Sequence, residues 1–422
     1  MSASQPTGVC LVNLGCRVNR VEVDLIAERL EAVGCSVVGE SEAQAIVINT
    51  CAVTAEAEAK TRKTVRHCAK LPQAPIVVAT GCVANMFSDE LEALAPNVIV
   101  ESDKSRVADL VIDALGLEAC SVSAVSGEKP TPTGRTRPGV KIQDGCDNRC
   151  TYCIVWKARG ASRSVDPDTV VSRVAAAVSR GAQEVVLTGI NLGCYAYPEG
   201  GDTLGLPSLI RRILDECDVR RLRLSSIEPP DVTPELVRTM AEAGERVAPF
   251  LHVCLQSGCD ATLARMGRVY DTSLFAERIA MAREMLPSLS LGTDLIVGFP
   301  GETEDEFAQS LDFSQEMRFS KMHVFRYSKR PGTPAATMPG QVPPQVMAER
   351  GMRMRRLADQ MRTDAARGLV GSEDLVVVQY PGRGVTGGLF DVLLDRDVPV
   401  DSLVRTRLVS CDSRGVLSAV VL

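Results

Sequence analysis

G-V-K-I-Q-D-G-C-D-N-R-C-T-Y-C, residues 139–153, joins a short apolar strand to three cysteines spaced four and then three residues apart. Cys146, Cys150 and Cys153 therefore stand on one tight loop. Three thiolates so arranged hold three irons of a four-iron cubane and leave the fourth iron open to a small chelating molecule. A structural zinc site usually takes four ligands, often in two pairs, and no nearby Cys or His supplies a fourth here. The cluster is the better reading. The position after a strand matters equally, because barrels of parallel strands present their catalytic loops at the carboxyl ends of those strands.

Downstream, apolar runs suited to strands recur at 184–188, 221–225, 251–255, 290–297 and 323–327. Helical stretches near 168–180, 208–217, 234–243, 272–285 and 304–317 lie between them. With the strand at 139–143 this makes six β/α units, which predicts an incomplete (β/α)6 barrel. A basic, amphipathic helical stretch follows over 345–367, and 369–422 then changes character. V-V-V-Q-Y, L-F-D-V-L-L, L-V-R-T-R-L-V and V-L-S-A-V-V-L are short β-like runs separated by Gly and Asp turns, and they predict a small antiparallel β-barrel.

Upstream, residues 8–13 (G-V-C-L-V-N), 45–49 (A-I-V-I-N) and 75–79 (P-I-V-V-A) read as buried parallel strands, with helices over 22–33 and 55–70. This βαβαβ pattern predicts an open, doubly wound parallel α/β sheet. Cys16, Cys51 and Cys82 each fall just after the carboxyl end of one of these strands, the rim where open α/β sheets bind ligands. Their convergence predicts a second three-thiolate cluster; the competing reading is three buried structural cysteines. Residues 121–138 are rich in Ser, Thr, Pro and Gly without periodicity, as a connector would be. The expected division is thus an N-terminal domain over 1–120, a linker over 121–138, a barrel with its trailing helix over 139–367, and a small barrel over 368–422.

A chain of 422 residues has room for about two to four domains. No apolar run approaches the ~18 residues of a membrane span, and M-S-A-S-Q-P-T-G lacks the basic-then-apolar pattern of a secretory signal. A cytoplasmic protein with no membrane partner is expected. Its 15 cysteines are then thiols or metal ligands rather than disulfides. The net charge of −6 argues against broad, non-specific nucleic-acid binding but leaves room for a local basic patch.

Taken together, these segments resemble the radical S-adenosylmethionine (AdoMet) methylthiotransferases, nearly end to end. The resemblance implies an N-terminal methylthiotransferase domain, a central radical-AdoMet barrel and a C-terminal TRAM domain, with two [4Fe-4S] clusters and AdoMet as cofactors. Cys16, Cys51 and Cys82 match the ligands of the first cluster, and Cys146, Cys150 and Cys153 those of the AdoMet-binding cluster. Tyr152 fills the aromatic position where the backbone meets the adenine of AdoMet. Thr188 and Gly189, in L-T-G-I-N-L-G, lie where the family binds its methionine end. The implied chemistry is reductive cleavage of AdoMet to a 5'-deoxyadenosyl radical and transfer of a methylthio group. L-G-C-R-V-N, C-A-V-T-A-E-A-E, L-S-S-I-E-P-P-D-V-T-P-E-L and H-V-F-R-Y-S-K-R-P-G-T-P-A-A are similar to the branch that modifies C2 of N6-threonylcarbamoyladenosine in tRNA. The alternatives are the isopentenyladenosine branch and the branch acting on a ribosomal-protein aspartate. Implied partners are a tRNA anticodon stem-loop, a sulfur donor and a low-potential electron donor such as flavodoxin or ferredoxin.

Some residues depart from the family pattern or admit two readings. Trp156 stands where the family usually has proline. The TRAM-like segment carries five Arg against seven Asp or Glu, too acidic for ready contact with phosphates. The 345–367 helix with Arg159, Arg163, Arg173 and Arg180 is a candidate source of the missing charge, or else an ordinary solvated face. His252 is expected to be packed or hydrogen-bonded rather than a ligand. Gln256, at the end of the same strand, is placed to touch substrate or AdoMet. Glu228 either binds a ribose hydroxyl or is a satisfied loop carboxylate. D-L-I-V-G-F-P-G-E lacks the G-K-[ST] ending of a phosphate loop. From a different class, a non-catalytic iron–sulfur redox sensor that binds RNA would carry clusters without turning over AdoMet.

Overall fold

The computed structural model describes residues 7–117 and 134–422; residues 121–133 of the connector lie outside them. Two compact units emerge. One holds the described residues up to Arg135 with Gly145–Asp147 and Cys153–Ala161, and the other holds Thr136–Asp144, Asn148–Tyr152 and Ser162–Leu422.

In the first unit, β1 (Gly8–Asn13), β2 (Ser36–Val37), β3 (Ala45–Thr50), β4 (Ile76–Gly81) and β5 (Val98–Val100) form a parallel sheet in the order 2-1-3-4-5. Its central strands are continuous apolar runs because both faces are covered. Ile46, Ile48, Val77 and Ala79 pack into one buried cluster, while Ala45, Val47 and Val78 pack with Ile26, Leu30 and Val111 in another. The strand order reverses between β1 and β3, which makes their carboxyl ends the ligand crevice of such a sheet. The helix after β1 runs over Arg17–Ala32, five residues ahead of the expected start, because Cys16 takes an extended N-cap conformation almost directly after the strand. The helix Ala55–Ala69 begins where Thr54 caps it, its side chain accepting from Ala57 N at 3.1 Å.

In the second unit, Gly139–Lys141, Glu184–Thr188 and Arg221–Leu224 pair in parallel. Ser226–Ile227, Phe250–Val253, Ser290–Val297 and Lys321–Arg326 continue in the same sense. Taking 221–227 as one interrupted strand gives the six parallel strands of an incomplete barrel. Val185, Leu187, Leu222, Leu224, Leu251 and Val253 belong to the main core beneath the helices. By alternation, Glu184, Arg221, Arg223, Phe250, His252 and Asp294 face the interior. An antiparallel hairpin, Ala196–Glu199 with Asp202–Gly205, was not foreseen.

The C-terminal strands Glu373–Tyr380, Arg383–Val385, Asp391–Leu394, Leu403–Cys411 and Leu417–Val421 close into a barrel in the order 1-2-3-5-4. Every pairing is antiparallel except the third strand with the fifth. This barrel seats against the amino-terminal end of the catalytic one through buried charges. Glu184, fully buried, pairs with Arg221 at 2.5 Å and Arg223 at 2.7 Å. Arg221 also donates to Leu375 O at 2.6 Å, and Arg223 to Gly387 O at 2.8 Å. Phe250 packs with Val377, Val385 and Leu389.

Candidate active site

At the carboxyl ends of β1, β3 and β4 the structure places Cys16, Cys51 and Cys82. Cys51 and Cys82 are buried and Cys16 is exposed. Each position has a local cause. Cys16 is the N-cap of Arg17–Ala32. Cys82 opens the short helix Cys82–Met86, whose Val83 and Ala84 amides donate to Thr50 Oγ1 at 3.1 and 3.2 Å. Gly81 precedes it at φ +95, and a Cβ there would lie 2.4 Å from Asn49 Oδ1, so only glycine serves this turn. Burial pushes the Cys51 thiol up to about 11; the neighbouring Cys82 and Cys16 add to this and Arg159 opposes it. Cys51 thus lies within electrostatic reach of both other thiols. A donor set of three thiols on the ligand crevice fits an iron–sulfur cluster.

Beneath them lies a polar network that the sequence did not announce. Cys16 Sγ donates to Asn19 Oδ1 at 3.1 Å. Asn19 Nδ2 donates to Asn49 Oδ1 at 2.8 Å and to Thr50 O at 2.9 Å. Arg159 donates from Nη2 to Asn19 Oδ1 and from Nη1 to Glu22 Oε1, both at 2.9 Å. Lys104 reaches Glu22 Oε2 at 2.5 Å. Arg159 was expected on a solvated or RNA-facing surface; its side chain is instead 3% exposed. Asn19 stands three residues after Cys16, and Glu22 three after Asn19, so each neighbours the next on the helix surface, which was a usable signal.

Around the cysteine loop the structure supplies equally specific supports. Gly145 has φ +72, and a Cβ there would fall 1.9 Å from Ala161 O, so no side chain fits. The Cys146 amide donates to Gly160 O at 3.1 Å. Cys153 Sγ accepts from the Val155 amide at 3.4 Å. In the second unit, Cys150 is buried and its sulfur accepts from Arg268 Nη1 at 2.8 Å. Burial raises that thiol's pKa and Arg268 opposes the rise. Arg268 also pairs with Glu228 at 2.6 Å. Glu228 is therefore ion-paired to an arginine that sequence reasoning missed because nothing local to R-M-G-R-V-Y marks it.

Of the other expected residues, Thr188 is buried at the end of its strand. Gly189 faces Gln143, whose Oε1 would lie 2.9 Å from a Cβ at 189 and accepts the Ile190 and Asn191 amides at 3.0 and 2.9 Å. Gln143 thus sets the turn of that loop. Tyr152 meets Phe299 edge-on at 6.3 Å. Gln256 has φ +64, a left-handed conformation at the carboxyl end of a barrel strand and a common sign of functional strain. His252 is buried with its Nε2 3.1 Å from Asp294 Oδ1 but without hydrogen-bond geometry, whereas His323 Nδ1 is hydrogen-bonded to the same oxygen at 3.0 Å. Burial pushes Asp294 up, but the two imidazoles outweigh it and hold the carboxyl below its usual range. Among the remaining cysteines, Cys10, Cys35, Cys68, Cys217 and Cys259 are buried, Cys194 is exposed, and Cys254 and Cys411 are intermediate; Cys120 lies outside the described residues.

The family model of the Radical SAM superfamily matches residues 140–314, and that of Uncharacterized protein family UPF0004 matches residues 8–101. The barrel and the cysteine loop therefore define a radical-AdoMet enzyme. The fold is shared with the radical S-adenosylmethionine methyltransferase TsrM of Kitasatospora setae, at TM-score 0.55 and 16% identity over 79% of this chain and 77% of that one. Among curated proteins, the chain is 33% identical to the threonylcarbamoyladenosine tRNA methylthiotransferase MtaB of Thermotoga maritima, over 97% of this chain and 96% of that protein. It is 36% identical to the MtaB of Bacillus subtilis, over 85% and 82%. A tRNA-2-methylthio-N(6)-dimethylallyladenosine synthase of Erythrobacter litoralis is 33% identical over 94% and 93%. The chain belongs to the radical-AdoMet methylthiotransferase family and is of the MtaB type. Its cofactors are two [4Fe-4S] clusters and AdoMet. Among the described residues, no helix is long and apolar enough to cross a membrane.

Proposed function

We propose that the protein installs a methylthio group at C2 of N6-threonylcarbamoyladenosine next to the anticodon of tRNA. The near end-to-end similarity to proteins named for this activity carries the substrate assignment. The two sets of three cysteines, each at the carboxyl ends of parallel strands, support the chemistry. Cys146, Cys150 and Cys153 would hold the AdoMet-binding cluster, and Cys16, Cys51 and Cys82 the other. When bound, these clusters supply the electron that cleaves AdoMet and an open iron for the sulfur to be transferred.

The chain's own residues prepare the site. Arg268 sets a guanidinium against Cys150 and offsets the cost of burying a thiolate. Glu228, fixed by Arg268, is positioned to accept a ribose hydroxyl of AdoMet. The tight fit of Gly189 on Gln143 keeps the backbone of that loop low enough for the methionine end, and Tyr152 presents its backbone to the adenine. Gln256 completes the rim. The C2–H bond of adenine is neither acidic nor polar, so general acid–base groups have little hold on it and radical chemistry is required. The anticodon stem-loop, a sulfur donor and a low-potential electron donor are the partners this function needs.

Mass spectrometry of tRNA nucleosides from cells with and without the gene tests the substrate. Loss of 2-methylthio-N6-threonylcarbamoyladenosine with accumulation of its precursor is expected. Loss of the isopentenyl-derived product instead would assign the protein to that branch. No change in any methylthio-nucleoside would refute tRNA as the substrate and direct attention to a ribosomal-protein aspartate.

A further inference from the structure

We propose that His252, Cys254 and Asp294 form a zinc site inside the catalytic barrel, separate from both sets of cluster cysteines. His252 is then a ligand, not the packed or hydrogen-bonded histidine that the sequence leads one to expect.

The site is built from neighbouring strands of the second unit. Phe250–Val253 and Ser290–Val297 run in parallel, with His252 opposite Gly292. His252 and Cys254 are two residues apart and so share one face of the chain, and Asp294 comes up beside them from the next strand. One donor atom from each, a ring nitrogen, a sulfur and a carboxylate oxygen, lies within 4.8 Å of the other two. A Cβ at Gly292 would fall 2.9 Å from His252 Nδ1, so the missing side chain leaves room for the imidazole. His323, opposite Asp294 on the following strand, closes the other side with its ring 5.5 Å from that of His252.

An ordinary core histidine settles its ring nitrogens in hydrogen bonds. His252 is 7% exposed, yet its Nε2 has no hydrogen-bond partner. Asp294 Oδ1 stands 3.1 Å from it, off the axis of a hydrogen bond. A buried nitrogen left in this way is costly and calls for an ion or water as partner. A nitrogen and a carboxylate oxygen in contact without a shared proton are what two ligands of one cation present. Zinc takes N, O and S donors at about 2.0–2.3 Å, which sets neighbouring ligands of a tetrahedron about 3.3–3.6 Å apart, within a small side-chain rotation of this set. Imidazole with thiolate selects zinc over the hard cations. Thiolate and carboxylate together also balance the charge of Zn2+, so the loaded site brings no net charge into the barrel. His323 Nδ1, hydrogen-bonded to Asp294 Oδ1, orients the carboxylate from outside the ligand set.

Three protein donors leave zinc a fourth position, the pattern of sites that bind a ligand rather than hold a fold. Tyr270 Oη donates to Cys254 O at 2.6 Å and accepts from Arg268 Nε at 3.1 Å, and Arg268 in turn donates to Cys150 Sγ. The zinc site is thus linked through two side chains to the AdoMet-side cysteine loop, and its fourth position suits an oxygen donor inside the barrel, water or a carboxylate.

The test uses the full chain with its iron–sulfur clusters reconstituted, so that the cluster cysteines are occupied. The protein is incubated with Zn2+, desalted and analysed for iron and zinc. About one zinc per chain is expected, and X-ray absorption at the zinc edge should show one sulfur at about 2.3 Å with nitrogen and oxygen at about 2.0–2.2 Å. Competition with a chelating dye then measures affinity. His323→Ala should weaken it about 10–100-fold, and Cys254→Ser and Asp294→Asn should weaken it further, with bound iron unchanged in all three. No retained zinc, or zinc held equally by wild type and the ligand variants, overturns the proposal. So does a spectrum with two or more sulfurs, which would place the zinc on other cysteines. The wild-type spectrum decides even where a variant fails to fold.

Discussion

Replacing Glu184 by Gln should loosen the whole second unit, and the structure sets the magnitude. The side chain is fully buried between Arg221 and Arg223, with Arg137 at 3.6 Å. Removing one partner of a buried ion pair costs about 3–5 kcal/mol, because the remaining charges stay desolvated. Arg221 and Arg223 keep their bonds to Leu375 O and Gly387 O, so the lower end, about 3 kcal/mol, is expected. At about 1.36 kcal/mol per tenfold, amide exchange governed by global opening should accelerate about 150-fold. The assay is hydrogen–deuterium exchange on peptides covering 184–188, 221–224 and 373–380, since the network links the catalytic strands to the C-terminal barrel. Burial pushes the Glu184 carboxyl up, but Arg223 and Arg221 hold it well below the usual range. Its contribution is therefore present above the ordinary Glu value near 4.5 and is lost as the pH falls below it. Exchange in the variant within about threefold of wild type, the factor for about 0.6 kcal/mol, would refute the idea that this network locks the two barrels.

Three further outcomes are expected. Ala at any of Cys146, Cys150 or Cys153 should abolish 5'-deoxyadenosine formation, whereas Ala at Cys16, Cys51 or Cys82 should spare it and stop methylthiolation; each set of three replacements should lower bound iron from about eight to about four atoms per chain. Arg268→Met leaves Glu228 without its cation and Cys150 without its donor, and AdoMet affinity measured by calorimetry on reconstituted enzyme should fall at least about tenfold, the equivalent of about 1.4 kcal/mol. Burial, with Glu228 adding to it, pushes the Asp231 carboxyl up to about 6. A raised carboxyl weakens the fold as the pH climbs from about 4 to 6, so Asp231→Asn should gain up to about 3 kcal/mol in urea unfolding at pH 7.5 and nothing near pH 4.

Much of the architecture was written in hydrophobic periodicity. Parallel strands buried on both faces read as apolar runs, so the strands Gly8–Asn13, Glu184–Thr188 and Ser290–Val297 were legible to the residue. Val98–Val100 is too short to carry a period, and the hairpin after the second barrel strand has only one apolar pair, Tyr197 with Leu204, turned to the core, too few to show as an alternation. The cysteines stood out because their residue type and strand-end positions are local properties. Arg268 and Arg159 did not, because each acts through partners more than 30 residues away, Glu228 and Cys150 for one, Glu22 and Asn19 for the other. An arginine in sequence looks solvated; only folding reveals that it is buried against a carboxylate. The acidic count of the C-terminal segment was likewise ambiguous, and the structure commits its Leu375, Thr386 and Gly387 carbonyls to the buried arginines of the catalytic barrel.

The most direct test is reconstitution of the purified protein with iron and sulfide, followed by reaction with AdoMet, a sulfur source, a reductant and tRNA bearing N6-threonylcarbamoyladenosine, with nucleosides analysed by mass spectrometry. The account predicts formation of the 2-methylthio derivative together with 5'-deoxyadenosine, and no conversion of tRNA bearing isopentenyladenosine. Deoxyadenosine without a methylthio product on the threonylcarbamoyl substrate, or methylthiolation confined to the isopentenyl substrate, would contradict it.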